Sequence, residues 1–136
     1  MNESYVLDAW AFLAFLQKEE PAGSRVRQLV LDAQNQTARL FASIINLGEV
    51  YYRIGKTRGQ TLADETLEEL QKLPVMILSA GDEVVLSAAR LKISHAVSYA
   101  DAFAAVAARQ LDAVLVTGDP ELLKLEGWLR LEKLSR

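Results

Sequence analysis

Short apolar runs alternate with amphipathic stretches along this chain, and their order predicts an α/β fold. Tyr5-Val6-Leu7, Arg39-Leu40-Phe41-Ala42, Val75-Met76-Ile77-Leu78 and Val114-Leu115-Val116 are each too short for a helix, and each predicts a strand. Gly127-Trp128-Leu129-Arg130-Leu131 predicts a last edge strand. Residues 9–16 are apolar on every side of a helix, the pattern of a deeply buried helix or of one that forms part of an interface. A second helix is expected over 24–35, capped by Ser24, with Val26, Leu29 and Val30 on one face. A third, capped by Ser43, covers 44 to about 56; a fourth runs to Lys72, and Pro74 stops it. A fifth begins at Ser79 or Asp82, with Val84, Val85, Ala88 and Leu91 inward. Helices alternating with short apolar strands predict a parallel sheet of four to five strands, covered by helices on both faces.

Residues 98–123 carry the most local information. Ser98 and Asp101 form the S-x-x-D start of a helix, and the alanine-rich run that follows propagates it. After the strand at 114–116, Asp119 can cap the next helix, Pro120 suits its first position and Glu121 its first turn. Parallel α/β sheets bind ligands outside the C-terminal ends of their strands. Asp8 ends the first strand and Asp119 follows the fourth. Glu49 lies near the second turn of the helix after the second strand, and Asp101 in the first turn of its own. All four can reach one sheet edge.

Each acid also has a plain structural reading: Asp8 and Asp119 as N-caps, Asp101 as the acid of a capping box, Glu49 as a solvated helical glutamate. Taken singly, those readings are the stronger ones. Taken together, the set implies more. Two carboxylates about 5 Å apart repel by roughly 3 kcal/mol at an effective dielectric near 20, so a converged group calls for a cation. Hard oxygen donors, with no cysteine in the chain and no histidine nearby, suit Mg²⁺ or Mn²⁺ rather than zinc. A divalent ion held this way can activate water and stabilise a phosphoryl transition state, the chemistry of many nucleases.

Composition narrows the setting. At 136 residues the chain is expected to form one domain, 1–136. The lack of cysteine excludes a disulfide framework, thiolate zinc sites and thiol catalysis. No apolar stretch approaches membrane-spanning length and Glu3 stands where a leader would be basic, so a soluble, cytoplasmic protein with no membrane partner is expected. A net charge of −3 argues against a broad phosphate-binding surface, so a nucleic-acid partner needs a local basic patch or a metal. Arg53, Lys56 and Arg58 supply a candidate patch beside Glu49; a solvated helical face explains them equally well. Tyr51 and Tyr52 fit core or interface packing better than base stacking. His95 is the only histidine, which excludes a histidine-pair ribonuclease mechanism; it is expected at a surface helix end.

Asp8 after an apolar strand, Ser43-Ile44-Ile45-Asn46-Leu47-Gly48-Glu49-Val50, Ser98-Tyr99-Ala100-Asp101-Ala102-Phe103 and Thr117-Gly118-Asp119-Pro120 together resemble a PIN domain. More narrowly, they resemble a VapC-type toxin of a toxin–antitoxin pair. The resemblance covers nearly the whole chain. It implies a three-layer PIN-like α/β fold and a metal-dependent endoribonuclease, with Asp8, Glu49, Asp101 and Asp119 as the catalytic, metal-binding quartet for one or two Mg²⁺ or Mn²⁺ ions. It also implies a homodimer, and a VapB-like antitoxin whose C-terminal segment occupies a groove near the active site. One departure follows Asp8: family members commonly carry a small hydroxyl residue there, whereas this chain reads Ala9-Trp10-Ala11, removing a hydrogen bond to the first carboxylate. Thr117 matches a position that often bears a hydroxyl or an asparagine, and either supports the site or caps its turn. Two other classes stay open: a metal-dependent DNA flap or phosphate-ester hydrolase, and a non-catalytic PIN-like interaction module whose acids only cap helices. A haloacid-type phosphatase is disfavoured because no D-x-D follows the first strand.

Overall fold

A computed structural model describes residues 2–136. Along the chain the elements are β1 (Glu3–Leu7), α1 (Ala9–Leu16), α2 (Ala22–Gln34), β2 (Ala38–Ser43), α3 (Ile44–Arg58), α4 (Gln60–Gln71), β3 (Val75–Leu78), α5 (Asp82–Ser94), α6 (Tyr99–Gln110), β4 (Val114–Thr117), α7 (Pro120–Leu123) and β5 (Arg130–Lys133). The strands form one sheet in the order β3-β2-β1-β4-β5, and every neighbouring pair is parallel. The chain builds outward from β1 through β2 to β3, then returns to lay β4 on the other side of β1. The order of strands therefore reverses between β1 and β4.

Side chains on a strand alternate between faces, and that period of two divides the core. Leu7, Leu40, Ala42 and Val116 pack under α1–α4, while Val6, Phe41 and Leu115 pack under α5–α7. The result is three layers, helices over both faces of a parallel sheet. On α1 the small residues Ala9, Ala11 and Ala14, with Phe12, are buried, which lets the helix lie close to its neighbours. In α6 every residue from Asp101 to Ala108 is buried, so its alanines serve close packing as much as helix propensity. Among the described residues no helix is long and apolar enough to cross a membrane.

Two boundaries differ from expectation. Ser24 does not cap α2; the helix starts at Ala22 with Pro21 at the cap position and no side-chain cap. The last strand is Arg130–Lys133, because Gly127 at φ 94° turns the chain and puts Trp128 in the turn, where its N–H donates to Leu125 O (2.9 Å). The apolar count of 127–131 reflected this turn packing on the core. In contrast, Ser43, Ser98 and Asp119 cap as the sequence predicts, accepting from Ile45 N (3.1 Å), Asp101 N (3.1 Å) and Glu121 N (2.8 Å).

The turn from β4 into α7 is fixed by a close approach. A Cβ added at Gly118 lies 2.3 Å from Trp10 Cζ2 on α1, so the indole occupies the space a larger residue needs. Trp10 is itself covered by Arg136, whose guanidinium lies 4.7 Å from the ring centroid. Gly118→Ala is therefore expected to destabilise the fold by roughly 1–3 kcal/mol through overpacking, and Trp10→Leu in the same chain to recover part of that loss. Chemical denaturation of the two single variants and the double variant measures the coupling; strictly additive effects contradict the contact.

Candidate active site

Ligands of open parallel sheets gather where strand order reverses. Here that point lies between β1 and β4, and Asp8 and Thr117 are the next residues in register after the paired Leu7 and Val116. Asp8 leaves the end of β1 and caps α1: Oδ1 accepts from Ala11 N at 2.8 Å. Its other oxygen accepts from the Thr117 hydroxyl. Thr117 Oγ1 in turn accepts from Asp119 N (3.0 Å), so one hydroxyl ties the carboxylate after β1 to the backbone that carries the acid after β4. Asp8 therefore has a hydroxyl partner although residue 9 is alanine. That bond comes from across the sheet.

Asp101 enters from α6, held in its first turn by the Ser98 cap. Glu49 comes from the second turn of α3. A residue the sequence reading passed over joins these two helices. Asn46, fully buried on α3 one turn before Glu49, donates from Nδ2 to Ala100 O at 3.0 Å, beside Asp101. Its Oδ1 is buried with no hydrogen-bond partner. An asparagine in a helix gives no sequence signal for this role, because the amide is read as one more polar position.

The acids sense one another. Asp8, 1% exposed, has its carboxyl pushed up to about 7, chiefly by burial; Thr117 and Ala11 oppose the rise, and the charges of Asp101 and Asp119 add to it. The Asp101 carboxyl is also pushed up to about 7, first by burial, then by the charge of Asp119, with Glu49 contributing further. Like charges disfavour ionisation, so protons replace the missing positive charge. Glu49 has a different counter-charge, Arg53 Nε at 3.5 Å, one turn further along α3.

The four carboxylates thus face a common edge without closing on it. Among the described residues no three histidine, cysteine or acidic side chains are gathered tightly enough to hold a metal ion. The donor set itself, four carboxylates of which two favour a proton near neutrality, has the hard-oxygen chemistry that suits Mg²⁺ or Mn²⁺.

Of the basic residues expected to touch RNA, Arg53 is engaged with Glu49. Lys56 lies 6.0 Å from the Tyr52 ring centroid, and Arg58 borders the cleft between α1, α3 and α4. Tyr51 donates to Asp64 on α4, a packing role, whereas Tyr52 is about half exposed.

The sequence profile of the family described as PIN domain matches residues 5–127. No curated protein matches the chain significantly. Among solved structures, the chain is similar to one in VapBC2 from Rickettsia felis bound to promoter DNA. The TM-score is 0.74 at 19% identity, covering 97% of this chain and 99% of that one. A chain of DNA-bound VapBC from Salmonella typhimurium gives a TM-score of 0.73 at 18% identity, with 98% of each chain covered. VapC20 from Mycobacterium tuberculosis, described as a sarcin–ricin loop cleaving toxin, gives 0.72 at 14% identity over 88% of this chain and 93% of that one. At these identities the likeness is one of fold.

The raised Asp8 carboxyl has a consequence for stability. Between the ordinary value of 3.8 and about 7, the folded protein holds a proton that the unfolded chain has released, so stability falls as pH rises through that window and levels off above it. Chelator-treated protein is therefore expected to melt at progressively lower temperature from about pH 4 to about pH 7, and Asp8→Asn to flatten part of that slope. Added Mn²⁺ is expected to raise the melting temperature more at about pH 8 than at about pH 5, since only ionised carboxylates bind it. Thermal melts with and without Mn²⁺ check both; a flat pH profile in chelator contradicts the buried-proton account.

Proposed function

The chain belongs to the PIN domain family, and from that premise we propose that it is a metal-dependent endoribonuclease toxin, restrained by a cognate antitoxin. The observation that carries the reading is the meeting of Asp8 and Asp119 at the reversal of strand order, bridged by Thr117, with Asp101 and Glu49 directed to the same edge. Asp8 and Asp119 each cap a helix, but capping does not account for their meeting at one edge with Asp101 and Glu49.

Asp8, Glu49, Asp101 and Asp119 are the residues that would hold Mg²⁺ or Mn²⁺. Bound there, a divalent cation neutralises phosphodiester charge and lowers the pKa of water enough to make it a nucleophile at neutral pH. The protein's part is arrangement. Asp8 is locked by Ala11 N and Thr117, so its carboxylate loses little freedom on binding. Asp101, whose carboxyl favours its proton, would give that proton up on metal binding, and one carboxylate of the set could orient the attacking water or accept its proton. Arg53, now paired with Glu49, would with Lys56 and Arg58 be placed to meet RNA phosphates beside the site.

RNA is favoured over DNA because VapC20, which shares this fold, is described as cleaving an RNA loop. The VapBC complexes among the similar structures support an antitoxin partner. A groove fits one: Leu13 and Leu16 of α1 face Ile54 of α3 and Leu62 of α4 across clefts of about 470 and 510 Å³. A second copy of the chain is the other expected partner, and Met76 on the edge strand β3 offers an exposed apolar residue to it.

Purified protein is expected to cut structured RNA with Mg²⁺ or Mn²⁺, and not single-stranded or flap DNA; chelator abolishes the cut. Asp101→Asn should lower the rate by at least about a hundredfold while leaving the melting curve intact. Thr117→Val should weaken Mn²⁺ binding by roughly 10–100-fold in calorimetry. Full activity of Asp101→Asn overturns the assignment, and Mn²⁺ binding unchanged by Asp8→Asn favours a non-catalytic module.

A further inference from the structure

A second cleft, about 500 Å³, opens between α5, α6 and the turn that carries Trp128. Arg90 of α5, Arg109 of α6, His95 and Trp128 line it, and no acidic side chain does. Neither Arg90 nor Arg109 joins any ion pair among the described residues, although the chain carries more acids than bases. The Arg109 guanidinium carbon lies 4.1 Å from the centroid of the Trp128 ring, and His95 tilts against the same ring at 5.9 Å. Stacking on an indole holds a guanidinium in place while its N–H donors remain unused.

Arg90 and Arg109 line one cleft without an acidic partner, a setting that favours an anion. Guanidinium N–H forks match phosphate oxygens two at a time. Arg109 is eight residues beyond Asp101 on the same helix, about 12 Å along its axis, which is within a few nucleotides' reach. For a protein of net charge −3, such a local concentration of positive charge is what RNA attraction requires.

We propose that this cleft is a second RNA-binding site, in which Arg90 and Arg109 grip backbone phosphates of a strand whose cleavage point lies at the acidic edge. The proposal rests on the ribonuclease reading, yet the two can fail separately. Binding of a labelled single-stranded RNA to the Asp101→Asn protein in chelator, followed by fluorescence anisotropy across a salt series, tests the cleft without any cleavage. Arg90→Ala with Arg109→Ala is expected to weaken binding roughly tenfold and to reduce the slope of log K against log salt by about 1.4, or about 0.7 for each phosphate released. Arg90→Lys with Arg109→Lys should keep most of that slope, which separates charge from a packing defect. In a Trp10→Phe background Trp128 is the sole indole, and RNA should change its emission unless both arginines are removed. An unchanged salt slope in the alanine pair overturns the proposal, including the case in which the cleft receives an acidic protein instead. Should the wild-type protein cut no RNA while the alanine pair still loses affinity and slope, the cleft stands and the ribonuclease reading falls.

Discussion

The structure depends on keeping a carboxylate almost out of water at the one place where a parallel sheet changes direction. Burying Asp8 is unfavourable unless its oxygens are hydrogen-bonded and its charge is neutralised. The fold supplies the hydrogen bonds from two directions, Ala11 N on the helix that follows β1 and the Thr117 hydroxyl at the end of β4. It does not supply the charge. The unsatisfied part of that requirement is visible as a carboxyl that favours its proton up to about pH 7, next to a second one, Asp101, in the same state. That combination of hydrogen bonds and proton-favouring carboxyls is what the proposed cation site would draw on.

Thr117 makes this arrangement cooperative. Its hydroxyl donates to Asp8 and accepts from Asp119 N, so the position of one acid depends on the backbone of the other. The C-terminal segment reinforces the same corner, with Leu134 N donating to Thr117 O at 2.8 Å and Arg136 covering the indole that fills the space above Gly118. The opposite corner has an equivalent tie, because Asn46 holds α3 to the start of α6 and thereby relates Glu49 to Asp101. Two hydrogen-bonded struts, one between strands and one between helices, set the frame in which four acids face one another.

Most of the frame was legible in the sequence for simple reasons. Four short runs rich in apolar and β-branched residues are too short for helices and became strands, and Ser43, Ser98 and Asp119 are residue types that cap helices. What escaped reading shares one property: it depends on a neighbour distant in sequence. Nothing local distinguishes Asn46 from a solvated polar residue, and Thr117 reads equally as a turn cap because it is one as well as a partner of Asp8. The absence of a hydroxyl after Asp8 looked like a weakness only because the compensating group lies 109 residues away. Ser24 and the stretch 127–131 misled for the opposite reason: their local signals were sound, but Pro21 and the positive φ of Gly127 had already placed the chain.

Charge is distributed with the same economy. Arg53 lies 3.5 Å from Glu49 and compensates its charge. Arg90 and Arg109 are left without acidic partners, one of them stacked on Trp128. The proposed reading gives these two residues of one cleft a use in a chain of net charge −3. If the chain holds a polyanion over its acidic edge, as proposed, that edge repels the strand in the absence of a cation, and attraction has to be sited elsewhere. On that proposal, separating the acidic edge from the arginine-lined cleft would let the chain attract the strand without neutralising Asp8, Glu49, Asp101 and Asp119.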